Sequence, residues 1–292
     1  MIFGKNRVPL PLLYCATVGF AIESANTVGY TADPLPENVW KIVASSFEST
    51  SGQSIDIQEF AEGFTKTVSF EDANWQETAP AIQIQRRDTN GNVTGALKKY
   101  YYICDAAKDD EGNVLAPGWA DDLGCYLGSD AADAVTIDPG VAVWFKDPNT
   151  GSTLTLAGQV VGESTATTDT TVNQWNLICN PFPIEFSLNA SSITWSGLTT
   201  TVSFEDEGWQ DTAPAIQIQR RDASGNVTGA LKKYYYICDA AKDDEGNVLA
   251  PGWADDLGCY LGSDAADDVT VKSGVGFWFK DQKAAVTIQF TR

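Results

Sequence analysis

The chain has 292 residues, with 39 acidic against 19 basic side chains and a formal charge of −20. That balance excludes a nucleic-acid partner, because binding a polyanion requires clustered Lys and Arg. There is no histidine, which removes Ser-His-Asp and Cys-His catalysis as well as imidazole metal ligation.

Residues 1–25 read as an export signal, or as an N-terminal donor segment if the chain retains them. Lys5 and Arg7 supply positive charge, Val8 to Ile22 carries none, and Ala21, Ser24 and Ala25 are small. The apolar run is shorter than the roughly 20 residues that span a bilayer, and Pro9 and Pro11 interrupt it, so no membrane span is expected. Export to the extracellular space or the cell surface is the first functional expectation.

Residues 67–133 and 201–267 then align without a gap and differ at five positions only: Ala73/Glu207, Asn74/Gly208, Glu77/Asp211, Thr89/Ala223 and Asn90/Ser224. The register continues through Trp144-Phe145-Lys146-Asp147 and Trp278-Phe279-Lys280-Asp281, and upstream Trp40 to Val43 corresponds to Trp175 to Ile178. The chain after the signal is therefore two copies of one module, 26–160 and 161–292. At about 130 residues each copy has the size of a domain.

Within each copy the pattern is β. Ala81 to Gln85, Lys99 to Ile103, Val141 to Phe145 and Ser152 to Leu156 read as strands of half-buried sheets, by apolar–polar alternation in the first and last and by aromatic and β-branched residues in the other two. Asn90-Gly91-Asn92 and Glu111-Gly112-Asn113 supply hairpin turns, and no stretch shows a helical apolar period. The expected fold is all-β, two tandem sandwich or jelly-roll domains from an internal duplication.

Cys104 and Cys125 recur as Cys238 and Cys259 at the same spacing. One disulfide per module is the economical expectation for an exported protein. Cys179 lies in an apolar strand and is expected to be buried.

Trp175-Asn176-Leu177-Ile178-Cys179-Asn180-Pro181-Phe182-Pro183 and Gly274-Val275-Gly276-Phe277-Trp278 resemble the opening and closing signatures of a loose group of bacterial secreted and surface β-sandwich modules. Asn26 to Tyr30 is similar to the mature N-terminus of related exported proteins. The first copy departs from the pattern, with Ala44-Ser45-Ser46-Phe47 at the Asn-Pro turn and Val141-Ala142-Val143 at the Gly-rich turn. The resemblance implies an exported sandwich and brings no catalytic residue with it.

Three constellations are candidates for function. The acidic loops, with Asp105, Asp109, Asp110, Asp121 and Asp122 in one copy and Asp239, Asp243, Asp244, Asp255 and Asp256 in the other, offer hard oxygen ligands, so calcium is the one cofactor they suggest. Asp88 to Asn92 resembles the start of a calcium loop, although the plain alternative is an Asn-Gly hairpin. Tyr100, Tyr101 and Tyr102 with Trp75 and Trp119 could form a platform for sugar rings, giving the runner-up reading, a carbohydrate-binding adhesin with two equivalent modules. No catalytic residue is expected, and near-perfect duplication argues for assembly or avidity over catalysis.

The ends of the chain carry the leading reading. Ala285 to Arg292 matches the strand before the internal junction, and Asn26 to Tyr30 matches the segment after it. If the C-terminus of one copy met the N-terminus of the next, the contact would be heterologous and would propagate into a filament. The expected function is a non-enzymatic extracellular structural protein whose partner is itself, assembled head to tail by strand addition. The contact residues expected for it are Leu12, Val18, Phe20, Val28, Tyr30, Val286, Ile288 and Phe290.

Overall fold

The computed structural model describes residues 28–44, 46–49, 54–59, 63–88, 90–104, 117–128, 134–149, 152–238, 251–261 and 269–292. The first module contains β1 (Val28–Leu35), β2 (Lys41–Ala44), β3 (Phe47–Glu48), β4 (Ile55–Asp56), β5 (Ala81–Arg87), β6 (Val93–Ile103), β7 (Gly118–Ala120), β8 (Thr136–Ile137), β9 (Ala142–Lys146) and β10 (Ser152–Val160). The second contains β11 (Thr165–Asp169), β12 (Asn176–Cys179), β13 (Phe186–Ser187), β14 (Ile193–Ser196), β15 (Ala215–Arg221), β16 (Val227–Ile237), β17 (Gly252–Ala254), β18 (Thr270–Val271), β19 (Gly276–Lys280) and β20 (Thr287–Thr291). Two single-turn helices, α1 (Trp75–Thr78) and α2 (Trp209–Thr212), are the only α-helices among the described residues. The fold is all-β, as the alternation predicts.

Each module has one five-stranded antiparallel sheet, in the order β2-β9-β5-β6-β7 or β12-β19-β15-β16-β17. A three-stranded sheet accompanies it, β1-β10-β3 or β11-β20-β14, together with one two-stranded pair. The alternation decides which side chains face which layer. Val43, Ile82, Tyr100, Val143 and Phe145 point inward and meet Leu35, Phe47, Leu154 and Leu156 in the core of the first module. Ile178, Ile216, Phe277, Phe279, Ile288 and Phe290 do the same in the second.

The outward face of the five-stranded sheet is covered in two ways. At the β6–β7 side, the segment that carries α1 folds over it, packing Val68, Phe70 and Trp75 against Tyr101, Ile103 and Tyr126. At the β2–β9 side, Ile42, Ala44 and Ala142 pack against Leu177 and Cys179 of the other module. Burial on both faces explains why β2 and β12 are buried throughout and, after Lys41 and Asn176 at their starts, run apolar without alternating.

The hairpins between β5 and β6 and between β15 and β16 turn on Gly91, at φ 80°, and Gly225, at φ 83°. Only glycine adopts that region without strain, which is why the Asn-Gly and Ser-Gly steps mark the turns. Just before each hairpin the register shifts, between Gln85 and Arg87 and between Gln219 and Arg221. Such irregularities re-aim the side chains beside them.

Two expectations are corrected by the register. The last strand of each copy pairs with the first strand of the same copy: β10 with β1 along eight residues, and β20 with β11 along five. The matching termini therefore close each module on itself, and the similarity between chain ends and internal junction reflects that closure.

The second correction concerns the in-module disulfides, which are not formed among the described residues. Tyr101 faces Ala120, and Ala120 faces Tyr126, so Cys125 falls level with Tyr100 while Cys104 lies further along β6's line. Two ladder steps sideways and four residues along place the two Cα atoms about 16 Å apart, and a disulfide spans about 7 Å at most. The same register holds for Cys238 and Cys259. Equal spacing in sequence reflects the duplication and carries no pairing information.

Candidate functional site

The seam between the modules is built from side chains in the middle of strands. Gln85, on β5, reaches across with its Oε1 accepting the Leu177 N–H at 2.8 Å, while its Nε2 donates to the Trp175 carbonyl. Gln219, on β15, does the reciprocal: its Oε1 accepts the Ile42 N–H at 2.9 Å and its Nε2 donates to the Trp40 carbonyl at 2.7 Å. Each glutamine thereby stands in for a neighbouring strand along the outer edge of β2 or β12.

The backbone adds a second reciprocal pair, with the Ala44 N–H donating to the Gly274 carbonyl at 3.0 Å and the Cys179 N–H to the Gly140 carbonyl at 2.9 Å. Reciprocity of this kind defines an isologous contact, a patch that meets its own equivalent about a two-fold axis. Close approach at the axis has its own requirement. A Cβ on Gly276 would lie 2.2 Å from the Ala142 Cβ, so the second copy has glycine where the first has alanine. The junction inside the chain is closed and two-fold, and it is built from mid-strand residues and not from the segments that resemble the chain ends.

The two-fold relation fails at the charged end of the seam. Asp33, on β1, forms ion pairs with Lys41 at 3.2 Å and with Arg221 of the second module at 3.3 Å. Arg221 also donates to the Ile42 carbonyl through Nη2, and Lys41 to the Pro34 carbonyl at 2.8 Å. Burial brings the Lys41 ammonium down to about 8, with the Arg221 charge adding to the push and Asp33 opposing it. At the equivalent places of the second module stand Thr168 and Asn176, which are neutral. There the duplicated arginine, Arg87, donates through Nη1 to the Gly91 carbonyl of its own hairpin at 2.8 Å.

Other edges are closed by side-chain amides. Gln58 bridges the Trp119 N–H and the Trp119 and Leu127 carbonyls, holding the end of β7. In the second module Asn189 does the same for the Trp253 N–H and the Leu261 carbonyl. The outer side of β1 is different. Among the described residues no strand pairs with it there, and Lys41 and Arg221 guard only its Asp33–Pro34 end. Tyr30, nearer the other end, is 75% exposed.

The expected site residues distribute as follows. Tyr30 lies on the open edge, and Val28 begins the same strand. Val286, Ile288 and Phe290 are buried in the second module's core, and β20 has a strand on each side, so they are not available to a neighbour. Leu12, Val18 and Phe20 lie outside the described residues, as do Asp105, Asp109, Asp110, Asp239, Asp243 and Asp244.

Asp121 and Asp255 are buried turn-closers. The Oδ1 of each accepts two backbone N–H groups, from Leu123 and Cys125 or from Leu257 and Cys259. Asp122 and Asp256 are exposed beside them. Asp88 accepts from the Asn90 and Asn92 N–H groups at 2.9 Å and so forms the hairpin turn. No group of three or more His, Cys, Asp or Glu side chains that could hold a metal ion comes together among the described residues.

The aromatic platform is not on the surface. Trp119 is fully buried, Tyr100 and Tyr101 nearly so, and Trp75 stacks edge-on against Tyr101 and Phe70. Cys179 is buried at the seam, as expected.

Gln85 and Gln219 were not singled out by the sequence, because in an alternating strand a polar residue reads as solvent-facing. Their burial is the one signal, and only the packed structure supplies it. No helix among the described residues is long and apolar enough to cross a membrane. No family model matches the chain, and neither the curated proteins nor the solved structures contain a significant match.

Proposed function

We propose that the protein is a non-enzymatic structural component of an extracellular filament or layer, in which a strand from a neighbouring copy adds to the open edge of β1. One observation carries this reading. The described part of the molecule covers the seam edges with glutamines and the β7 and β17 ends with Gln58 and Asn189, yet leaves the Tyr30 half of β1 unpaired. An unpaired strand offers its backbone groups as a template for strand addition. The donor is the uncharged stretch Leu12 to Ile22 of the neighbour. The charge of −20 keeps the exported copies dispersed until strand addition holds them.

The reading is tested by electron microscopy and size-exclusion chromatography of the full chain beside two variants. Deletion of residues 1–27 removes the donor and leaves β1 intact; a longer cut, to residue 37, would remove β1 itself and unfold the edge under test. Tyr30→Lys places a charge on the acceptor edge. Polymers from the full chain and folded single chains from both variants are the expected outcome. Single chains from the full-length protein, or polymers unchanged in either variant, would overturn the reading.

A further inference from the structure

The failure of two-fold symmetry at the two duplicated arginines leaves one of them with no carboxylate in ion-pair range among the described residues. Arg87 donates only through Nη1, and its Nε and Nη2 are buried with no hydrogen-bond partner. Those two N–H groups form the side-on fork of the guanidinium, the edge that takes both oxygens of a carboxylate. Leaving a charged donor buried and unpartnered costs stability, so its persistence needs a reason.

The equivalent arginine shows what is missing. Arg221 pairs through Nη1 with the Asp33 carboxylate at 3.3 Å and donates through Nη2 to the Ile42 carbonyl, so that Nε alone is left without a partner. The residue at Asp33's place opposite Arg87 is Thr168, which has no charge to offer. Beside Arg87 there is instead a cavity of about 320 Å³, lined by Arg87, Arg86, Tyr100, Thr136 and Asp138 among others. Asp138 acts on Arg87 electrostatically, but no ion pair within 4.0 Å joins them among the described residues. The second copy has Lys272 at the position of Asp138. The first module thus has an exposed carboxylate on the wall of the cavity and lacks the partner carboxylate for its arginine.

We propose that this cavity binds a small free amino acid, its carboxylate on the Nε–Nη2 fork of Arg87 and its ammonium facing Asp138. The two charges of such a ligand complement Arg87 and Asp138 on a wall that carries two cations and two carboxylates, Arg86 and Asp88 being the others, whereas a simple anion would meet Asp138 unfavourably. Tyr100 and Ile84 supply the apolar floor for a short side chain. Both N–H groups are closed off from water, so binding requires the Arg87 side chain to turn its fork toward the cavity.

The experiment is isothermal titration of the full chain with alanine, propionate and ethylamine, repeated on Arg87→Gln and Asp138→Asn, with thermal unfolding of each variant as the check on folding. Alanine should bind the native protein more tightly than either analogue. Arg87→Gln should weaken alanine by about tenfold or more, the loss expected for a charge-assisted two-point contact. Asp138→Asn, at an exposed position, should reduce the preference for alanine over propionate. No binding of alanine to the native protein overturns the proposal, even if Arg87→Gln fails to fold. Equal affinity for alanine and propionate overturns the ammonium contact, and unchanged affinity in folded Arg87→Gln overturns the fork.

Discussion

The two modules share one sequence over 67–133 and 201–267 with five differences, yet the two sides of the seam are electrostatically unlike. The first module brings Asp33 and Lys41 to the seam and captures Arg221 from its partner; the second brings Thr168 and Asn176 and leaves Arg87 to its own hairpin. Asn176 instead folds inward, accepting the Thr171 N–H and donating to the Thr171 and Gln174 carbonyls. The duplicated interior fixes what each module is, and the diverged flanks fix how each meets the other. Identical arginines acquire different environments because their partners come from the part of the chain that changed.

The comparison can be broken first at a place where the modules agree. Asp147 and Asp281 are equivalent buried carboxylates that organise the loop before the last strand. Asp147 accepts from the Thr65 N–H, the Asn149 N–H and Nδ2, and the Ser152 hydroxyl; Asp281 accepts from the Thr199 N–H and hydroxyl and from the Lys283 and Ala284 N–H groups. Replacing either by Ala strands several donors, and urea unfolding should register a loss of about 3 kcal/mol or more in each case. Burial pushes the Asp147 carboxyl up, but the hydrogen bonds from Ser152, Thr65 and Asn149 outweigh it and hold it below its ordinary 3.8. Its contribution is complete above that value and is lost as pH falls through the depressed one. A large cost at one aspartate only would show that the two loops are not equivalent.

A smaller effect is expected at the seam. Gln85→Ala or Gln219→Ala leaves one N–H and one carbonyl of the partner strand buried without a mate, at a cost of about 2 kcal/mol each. The double variant should cost less than the sum, because the first loss already loosens the shared contact. Unequal single costs in denaturant unfolding would break the two-fold description.

The smallest effect isolates the asymmetry itself. Lys41 in the folded protein gives up its proton near 8, against an ordinary value of 10.5. Between those values the unfolded chain binds more protons than the folded one, so stability climbs as pH rises through the interval. Lys41→Met should stabilise the protein at neutral pH and flatten that climb, while Asp33 keeps its pair with Arg221. A melting-temperature profile from pH 7 to about 10.5 measures both; a climb that survives the substitution assigns it to another group.

Much of the fold was legible in the chain. The strands Ala81 to Gln85, Lys99 to Ile103, Val141 to Phe145 and Ser152 to Leu156 fall within or next to β5, β6, β9 and β10, because alternation and short aromatic or β-branched runs are local properties of a strand. The Gly91 turn follows from local φ preferences in the same way. The site was less legible. Gln85 and Gln219 look like surface residues in their strands, and Asp121 and Asp88 look like calcium ligands until the turns they close are seen. Equal cysteine spacing suggested a disulfide, but the antiparallel register holds the two Cα atoms about 16 Å apart, beyond the about 7 Å that a disulfide spans.

The sequence by itself determined that the protein is all-β, duplicated, strongly acidic and without histidine, since these are properties of composition, period and self-similarity. The tertiary structure alone decided that the first and last strands of each copy pair with each other, that the copies meet about a two-fold axis, and that one arginine finds a carboxylate while its twin does not. Each of those depends on residues about 115 to 190 positions apart. No local propensity reaches that far: such partners are brought together only by burying the apolar faces that the two copies hold in common.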